Sequence, residues 1–119
     1  MGVVQQITVK GFTKISTNKI YSGMHWTKRK AIKEEWLGWF AQYRNALKRP
    51  RNKVKLYFDY YWKKSPLDSS NCSYMSKMIE DCMVHYGILE NDTIEFVGPV
   101  TNDSHKSDTE FCVISVEEV

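Results

Sequence analysis

Two stretches of helical period, separated by a run of strand-forming residues, constrain this chain more than anything else in it. Between Thr27 and Leu47, the residues Ile32, Trp36, Phe40, Tyr43 and Leu47 recur three and four apart, and Trp39 widens the stripe. That spacing gathers them on one face of an α-helix. Pro50 ends the helix, because proline has no amide to donate and clashes with the turn before it. From Tyr74 to about Tyr86 the pattern returns in Met75, Met78, Ile79, Cys82 and Tyr86. Gly87 follows, where a helix end favours glycine. Between the two lies KVKLYFDYYW (53–62), β-branched and aromatic, which reads as a strand.

An amphipathic helix must bury its apolar face on something. VVQQITVK (3–10) alternates loosely and reads as a first strand; IEFVGPV (94–100) and DTEFCVISVEEV (108–119) read as two more. TKISTNKIYSG (13–23) and TNDSHKS (101–107) read as polar loops, SPLDSSN (65–71) as a turn and ILEND (88–92) as a short extended link. The expected fold is therefore α+β: a single domain over residues 1–119, in the order β-α-β-α-β-β. One mixed sheet with two helices packed on it is the economical way to bury both stripes.

Composition closes off several classes. A chain of 119 residues that is 42% hydrophobic can build one core and is not of disordered type. No apolar run approaches the roughly 20 residues that a membrane span needs. MGVVQQITVKGF lacks the charged start and apolar centre of a secretory signal, so a cytoplasmic protein is expected. Cys72, Cys82 and Cys112 form no CxxC pair. Cys82 and His85 are a helical three apart, but no second pair completes a zinc site, so reduced, buried thiols are expected.

The net charge is only +3, but it is unevenly spread. HWTKRKAIK and LKRPRNKVK crowd the first half with cations; IEDC, LEND, NDSHKSDTE and the closing EEV place carboxylates in the second. This suggests a polyanionic partner and a task for carboxylates. Any single charged run also reads as a solvated surface.

The stretch SPLDSSNCSYMSKMIEDC concentrates that chemistry at one helix start. A helix of about 12 residues is roughly 18 Å long. Six extended residues cover roughly 20 Å. The link after Gly87 can therefore return along the helix and bring Asp92 back beside Asp68. Two carboxylates there would suit Mg²⁺, a hard cation that takes oxygen ligands. Lys77 could face a phosphate or a developing oxyanion from the same helix, whose N-terminus adds partial positive charge. The plainer reading of the same residues is a helix capped by Asn71, Ser69, Ser70 or Ser73, with Lys77 and Asp81 as an i,i+4 ion pair.

The pattern LDSSN…K…D…GILENDTIEFV resembles the RusA family of Holliday junction resolvases, found in phages and prophages. That family shows D-x-D-N before a helix, then Lys, a helical Asp and G-[VI]-[LIV]-x-D-D-[ST]. The corresponding positions here are Asp68, Ser70, Asn71, Lys77, Asp81, Gly87, Asn91, Asp92 and Thr93. STNKIYSGMHWTKRK is similar to the family's S-x-N-x-x-Y segment with its following basic residues. The resemblance covers most of the chain. It implies a homodimeric, Mg²⁺-dependent endonuclease (Mn²⁺ being the alternative ion) acting on four-way DNA junctions, with no nucleotide cofactor and no membrane. It maps metal ligands onto Asp68 and Asp92 and the catalytic lysine onto Lys77. Asn71, Asp81 and Ser70 are supporting positions.

Two positions depart from the pattern. Ser70 stands where the family has its second aspartate, and Asn91 where it has the first acid of the late pair. Either Glu90, Asp81 or Asp103 supplies the missing oxygen, or the site works with fewer carboxylates and more water, or the chain binds junction or duplex DNA without cutting it. A small partner-binding protein using the aromatic first helix is the remaining alternative. For DNA contact the candidates are Lys14, Lys19, His25, Lys28, Arg29 and Lys30; Tyr21 and Trp26 read as packing or stacking aromatics, and Arg49, Arg51 and Lys53 as a solvated turn or a further contact.

Overall fold

The computed structural model describes residues 4–119. Along the chain lie β1 (Val4–Val9), α1 (Thr17–Tyr21), α2 (Trp26–Phe40), β2 (Val54–Trp62), α3 (Ser73–His85), β3 (Val97–Lys106) and β4 (Phe111–Glu118). Short 3₁₀ turns follow α2 (Ala41–Tyr43) and precede α3 (Ser69–Cys72). The four strands form one mixed sheet in the order β1-β4-β2-β3. β1 and β2 each run antiparallel to β4, whereas β2 and β3 are parallel. A parallel pair cannot be closed by a tight turn and needs a crossover, which α3 supplies.

The alternation in β2 decides where the helices go. Val54, Leu56, Phe58, Tyr60 and Trp62 are buried, while Lys55, Tyr57, Asp59 and Tyr61 are half-buried on the opposite face. The buried set joins Trp36 and Phe40 of α2, Ile20 of α1, and Met75, Met78, Ile79, Cys82 and Met83 of α3 in one core. Each large apolar side chain so buried contributes about 1.5–3 kcal/mol. Phe12 ties the layers together, meeting the rings of Trp36, Tyr60 and Trp62 at 5.8–6.1 Å. A polar chain also crosses the core: Tyr60 OH lies 2.8 Å from Ser76 Oγ, and Ser76 donates in turn to Asn102 Oδ1. With Ser76's proton committed to Asn102, the Tyr60 hydroxyl must be the donor to Ser76. On the second face of the sheet, no hydrogen bond or ring contact among the described residues reaches a helix.

The fold is α+β, with a mixed sheet and helices against it, as the patterning implies. Several boundaries differ from the expectation. The first long helix ends at Phe40 and tightens into a 3₁₀ turn rather than continuing to Leu47. That turn aims Tyr43 at β1, where its hydroxyl accepts the Lys10 amide at 3.1 Å. The region expected to be loop before α2 contains the short α1, capped by Ser16. TNDSHKS is not a loop but the second half of β3, an edge strand. Edge strands tolerate polar residues and proline, here Pro99, because one side makes no ladder. The ILEND link is folded rather than extended, since the Ile88 and Leu89 amides both donate to Met83 O and both side chains are buried.

The cysteines are free and buried. Burial pushes the Cys72 thiol up to about 11 and Cys82 to about 12, which suits packing groups rather than zinc ligands. None of the described helices is long and apolar enough to cross a membrane.

Candidate active site

The N-terminus of α3 is capped from a distance. None of Asn71, Ser69, Ser70 and Ser73 caps it; the Tyr74 amide donates to Thr17 Oγ1 of α1 at 2.9 Å. Thr17 Oγ1 also lies 2.9 Å from Ser73 Oγ and bonds Asn71 O at 3.2 Å, and the Asn18 amide donates to Asn71 Oδ1 at 3.2 Å. The segment STNKIY is thereby docked onto the segment DSSNCS, so Asn71 works as a clip between them.

Further along α3, Lys77 gathers carboxylates. It bonds Asp92 Oδ2 directly and lies 3.4 Å from Asp81 Oδ1. Lys33 of α2 approaches the other Asp81 oxygen at 3.8 Å. The chain after Gly87 does return along α3, because Lys77 stands eight residues before His85 in that helix. Gly87 makes the reversal with φ +77°, and its amide and that of Ile88 close the helix end on Val84 O and Met83 O. Lys33, Asp81, Val84, His85 and Asp92 line an open cleft of about 280 Å³.

The electrostatics are mutually set. The hydrogen bond from Lys77 holds Asp92 below the usual carboxylate range, outweighing its partial burial. Burial works against the Lys77 ammonium, yet its bond to Asp92 and the charges of Asp81, Asp92 and Glu80 raise its pKa. Glu80 is buried, and burial pushes its carboxyl up to about 7; Lys77 opposes this while Asp92 and Asp81 add to it. A carboxyl titrating near neutrality beside a cleft can hold or release a proton at working pH.

Asp68 is not part of this cluster. It is exposed, starts the 3₁₀ turn without a capping bond, and no hydrogen bond or ion pair among the described residues joins it to Lys77, Asp81 or Asp92. The intervening 3₁₀ turn and first turn of α3 separate it from Lys77 by roughly 14 Å of helical rise, at about 2 Å and 1.5 Å per residue. Asp68 lies instead near Cys72. Ser70 is exposed, and its carbonyl accepts Ser73 Oγ at 3.0 Å. Of the three acids considered as substitutes for the missing aspartate, only Asp81 stands at Lys77. Glu90 pairs with Arg49 at 3.6 Å, and Asp103 points from the second face of the sheet beside His105.

The basic candidates divide. Lys14 is engaged: it donates to Lys64 O at 3.1 Å and to Ser65 O, and lies 4.9 Å over the Trp62 ring. His25 caps α2, its Nδ1 accepting the Thr27 amide at 3.2 Å. Lys19, Lys28, Arg29 and Lys30 are exposed and in no ion pair among the described residues. Tyr21 and Trp26 beside them are 71% and 62% exposed, so neither packs into the core. Sequence reasoning missed Glu80 and Lys33. Their signals were weak: Glu80 sits one helical turn from Ser76, on the flank of the α3 stripe, and Lys33 is on the polar side of α2.

No family model matches the chain, and no curated protein matches it.

Proposed function

We propose that the chain is a RusA-like endodeoxyribonuclease that binds four-way DNA junctions and cuts phosphodiester bonds with the help of Mg²⁺, or Mn²⁺ in its place. The observation that carries this reading is the docking of two segments far apart in sequence. Thr17 and Asn18 clip the basic N-terminal region onto Asn71 and Ser73 at the start of the helix that holds Lys77 and Asp81. A free cationic surface and a carboxylate–lysine cleft are thereby parts of one unit. The cations Lys19, Lys28, Arg29 and Lys30 would track phosphates, with Tyr21 and Trp26 available to sugars or bases.

The oxygen donors of the cleft suit a hard divalent ion. Asp92 is held ionised by Lys77, and Asp81 Oδ1 lies 3.4 Å from the same ammonium. Asp92 and Asp81 would hold Mg²⁺, with Asp68 reaching the DNA end of the same helix. The ion's chemistry there is to offset phosphate charge and acidify a bound water. Lys77 would exchange Asp92 for a phosphate oxygen, and Glu80 would carry a proton to or from the reacting oxygens. A homodimer would place two such sites for paired nicks on a symmetric junction. The buried, reduced thiols suit a cytoplasmic setting.

A second reading is a junction- or duplex-binding protein that no longer cuts. It is favoured by Ser70 in place of a ligand and by the separation of Asp68 from the Lys77 cluster. Gel retardation of a labelled junction in Ca²⁺, over a series of salt concentrations, tests the shared part of both readings. Binding should weaken with salt, and charge reversal at Lys19, Lys28 and Arg29 should flatten that dependence by roughly 0.9 for each phosphate no longer neutralised. Full affinity in the reversed variant would show that this basic surface does not hold the junction.

A further inference from the structure

The second face of the sheet carries a constellation that the nuclease reading does not use. Asp59 of β2 lies opposite Asp103 of β3, and His105 follows Asp103 by two residues on the same face. One donor atom from each of the three lies within 4.8 Å of the others. His105 Nε2 is 3.1 Å from Asp59 Oδ1 and 3.7 Å from Asp103 Oδ2.

We propose that Asp59, Asp103 and His105 form a site for a divalent first-row transition ion, Zn²⁺ or Mn²⁺, separate from the Lys77 cleft. Two ligands about 2.1 Å from a tetrahedral ion lie roughly 3.4 Å apart, and the two His105–carboxylate separations bracket that value. Both carboxylates approach the same imidazole nitrogen, which has one position to share between them. A cation at the centre satisfies all three donors at once. Among the described residues no Lys or Arg pairs with Asp59 or Asp103, so no side-chain ammonium or guanidinium offsets the two carboxylates. The imidazole plane is held by Tyr61, stacked on it at 4.7 Å, and Tyr61 is stacked on Phe111 at 4.5 Å. Such outer contacts orient a metal-binding histidine.

The ligand set also selects the ion. One nitrogen and two carboxylates favour zinc or manganese over the all-oxygen preferences of Ca²⁺ and Mg²⁺. Three protein ligands leave a coordination position open for water or a small anion. All three ligands stand on adjacent, hydrogen-bonded strands, so little order has to be gained on binding.

Calorimetric titration of the folded protein with Zn²⁺, and separately Mn²⁺, tests the site. In the Zn²⁺ titration wild type and Glu34→Gln, a change at an exposed carboxylate of α2, should bind alike, whereas Asp103→Asn and His105→Gln should each weaken the same binding event at least tenfold. Circular dichroism checks that the variants remain folded. In a parallel NMR titration, Mn²⁺ should broaden the His105 imidazole resonances before those of His25 and His85. Equal affinity in all four proteins, or broadening of another histidine first, would overturn the proposal; so would a wild type that binds neither ion.

Discussion

Glu80 makes the stability of this protein depend on pH in a direction opposite to that of most carboxylates. Its carboxyl is buried and titrates at about 7, against an ordinary value of 4.5. The folded state therefore binds this proton more tightly than the unfolded chain does. Stability from the protonated form is complete below the unfolded value and is lost as pH rises through the folded one. A shift of that size corresponds to about 3 kcal/mol between pH 4.5 and 7.5. Asp92 and Lys77 do not mask the effect. The pKa of Asp92 is lowered from 3.8 and that of Lys77 raised from 10.5, so both stay charged through this window. Replacing Glu80 by Gln keeps the shape and removes the charge. Urea unfolding of Glu80→Gln and wild type at half-unit steps of pH isolates the contribution, because the two proteins differ only at that carboxyl. The variant should gain about 3 kcal/mol on wild type as pH climbs from 4.5 to 7.5, and nothing further above that. A difference between the two proteins that stays constant with pH would refute the reasoning.

Other outcomes follow from single contacts. Gly87→Ala must place a Cβ at φ +77° and should cost about 1 kcal/mol, read as a lower thermal midpoint. Thr17→Val removes the remote cap of α3 and should cost about 1 kcal/mol, whereas Thr17→Ser should restore most of it. In Lys77→Met the Asp92 carboxyl should titrate at higher pH than in wild type, which a carbon-detected NMR titration reads directly. Tyr60→Phe leaves Ser76 without its donor inside the core and should cost about 1–2 kcal/mol in chemical denaturation.

The apolar periods carried the architecture. Trp36 and Phe40, and Met75, Met78, Ile79 and Cys82, are buried where spacing placed them, because burial of such surface outweighs local detail. What the pattern could not carry was structure made by polar residues. β3 looks like a loop because Thr101 to Lys106 lack an apolar alternation. They are a strand because β2 offers them a ladder and Asn102 and Ser104 find partners beneath the helices. The candidate site divides in the same way. Asp92 and Asp81 meet at Lys77, whereas the chain-length argument aimed Asp92 at Asp68. Asp68 does not join them, because the 3₁₀ turn at Ser69–Cys72 lengthens the path from it to Lys77. Glu80 was invisible because burial, not sequence neighbourhood, gives it its proton affinity.

The most direct test of junction cleavage is incubation of a labelled synthetic four-way junction with the protein, with and without Mg²⁺, beside Asp92→Asn and Lys77→Met. Paired, symmetric nicks should appear that need the metal and are lost in both variants while junction binding persists. Intact junction in both Mg²⁺ and Mn²⁺, with binding retained, would contradict the nuclease reading and leave a protein that holds the junction without cutting.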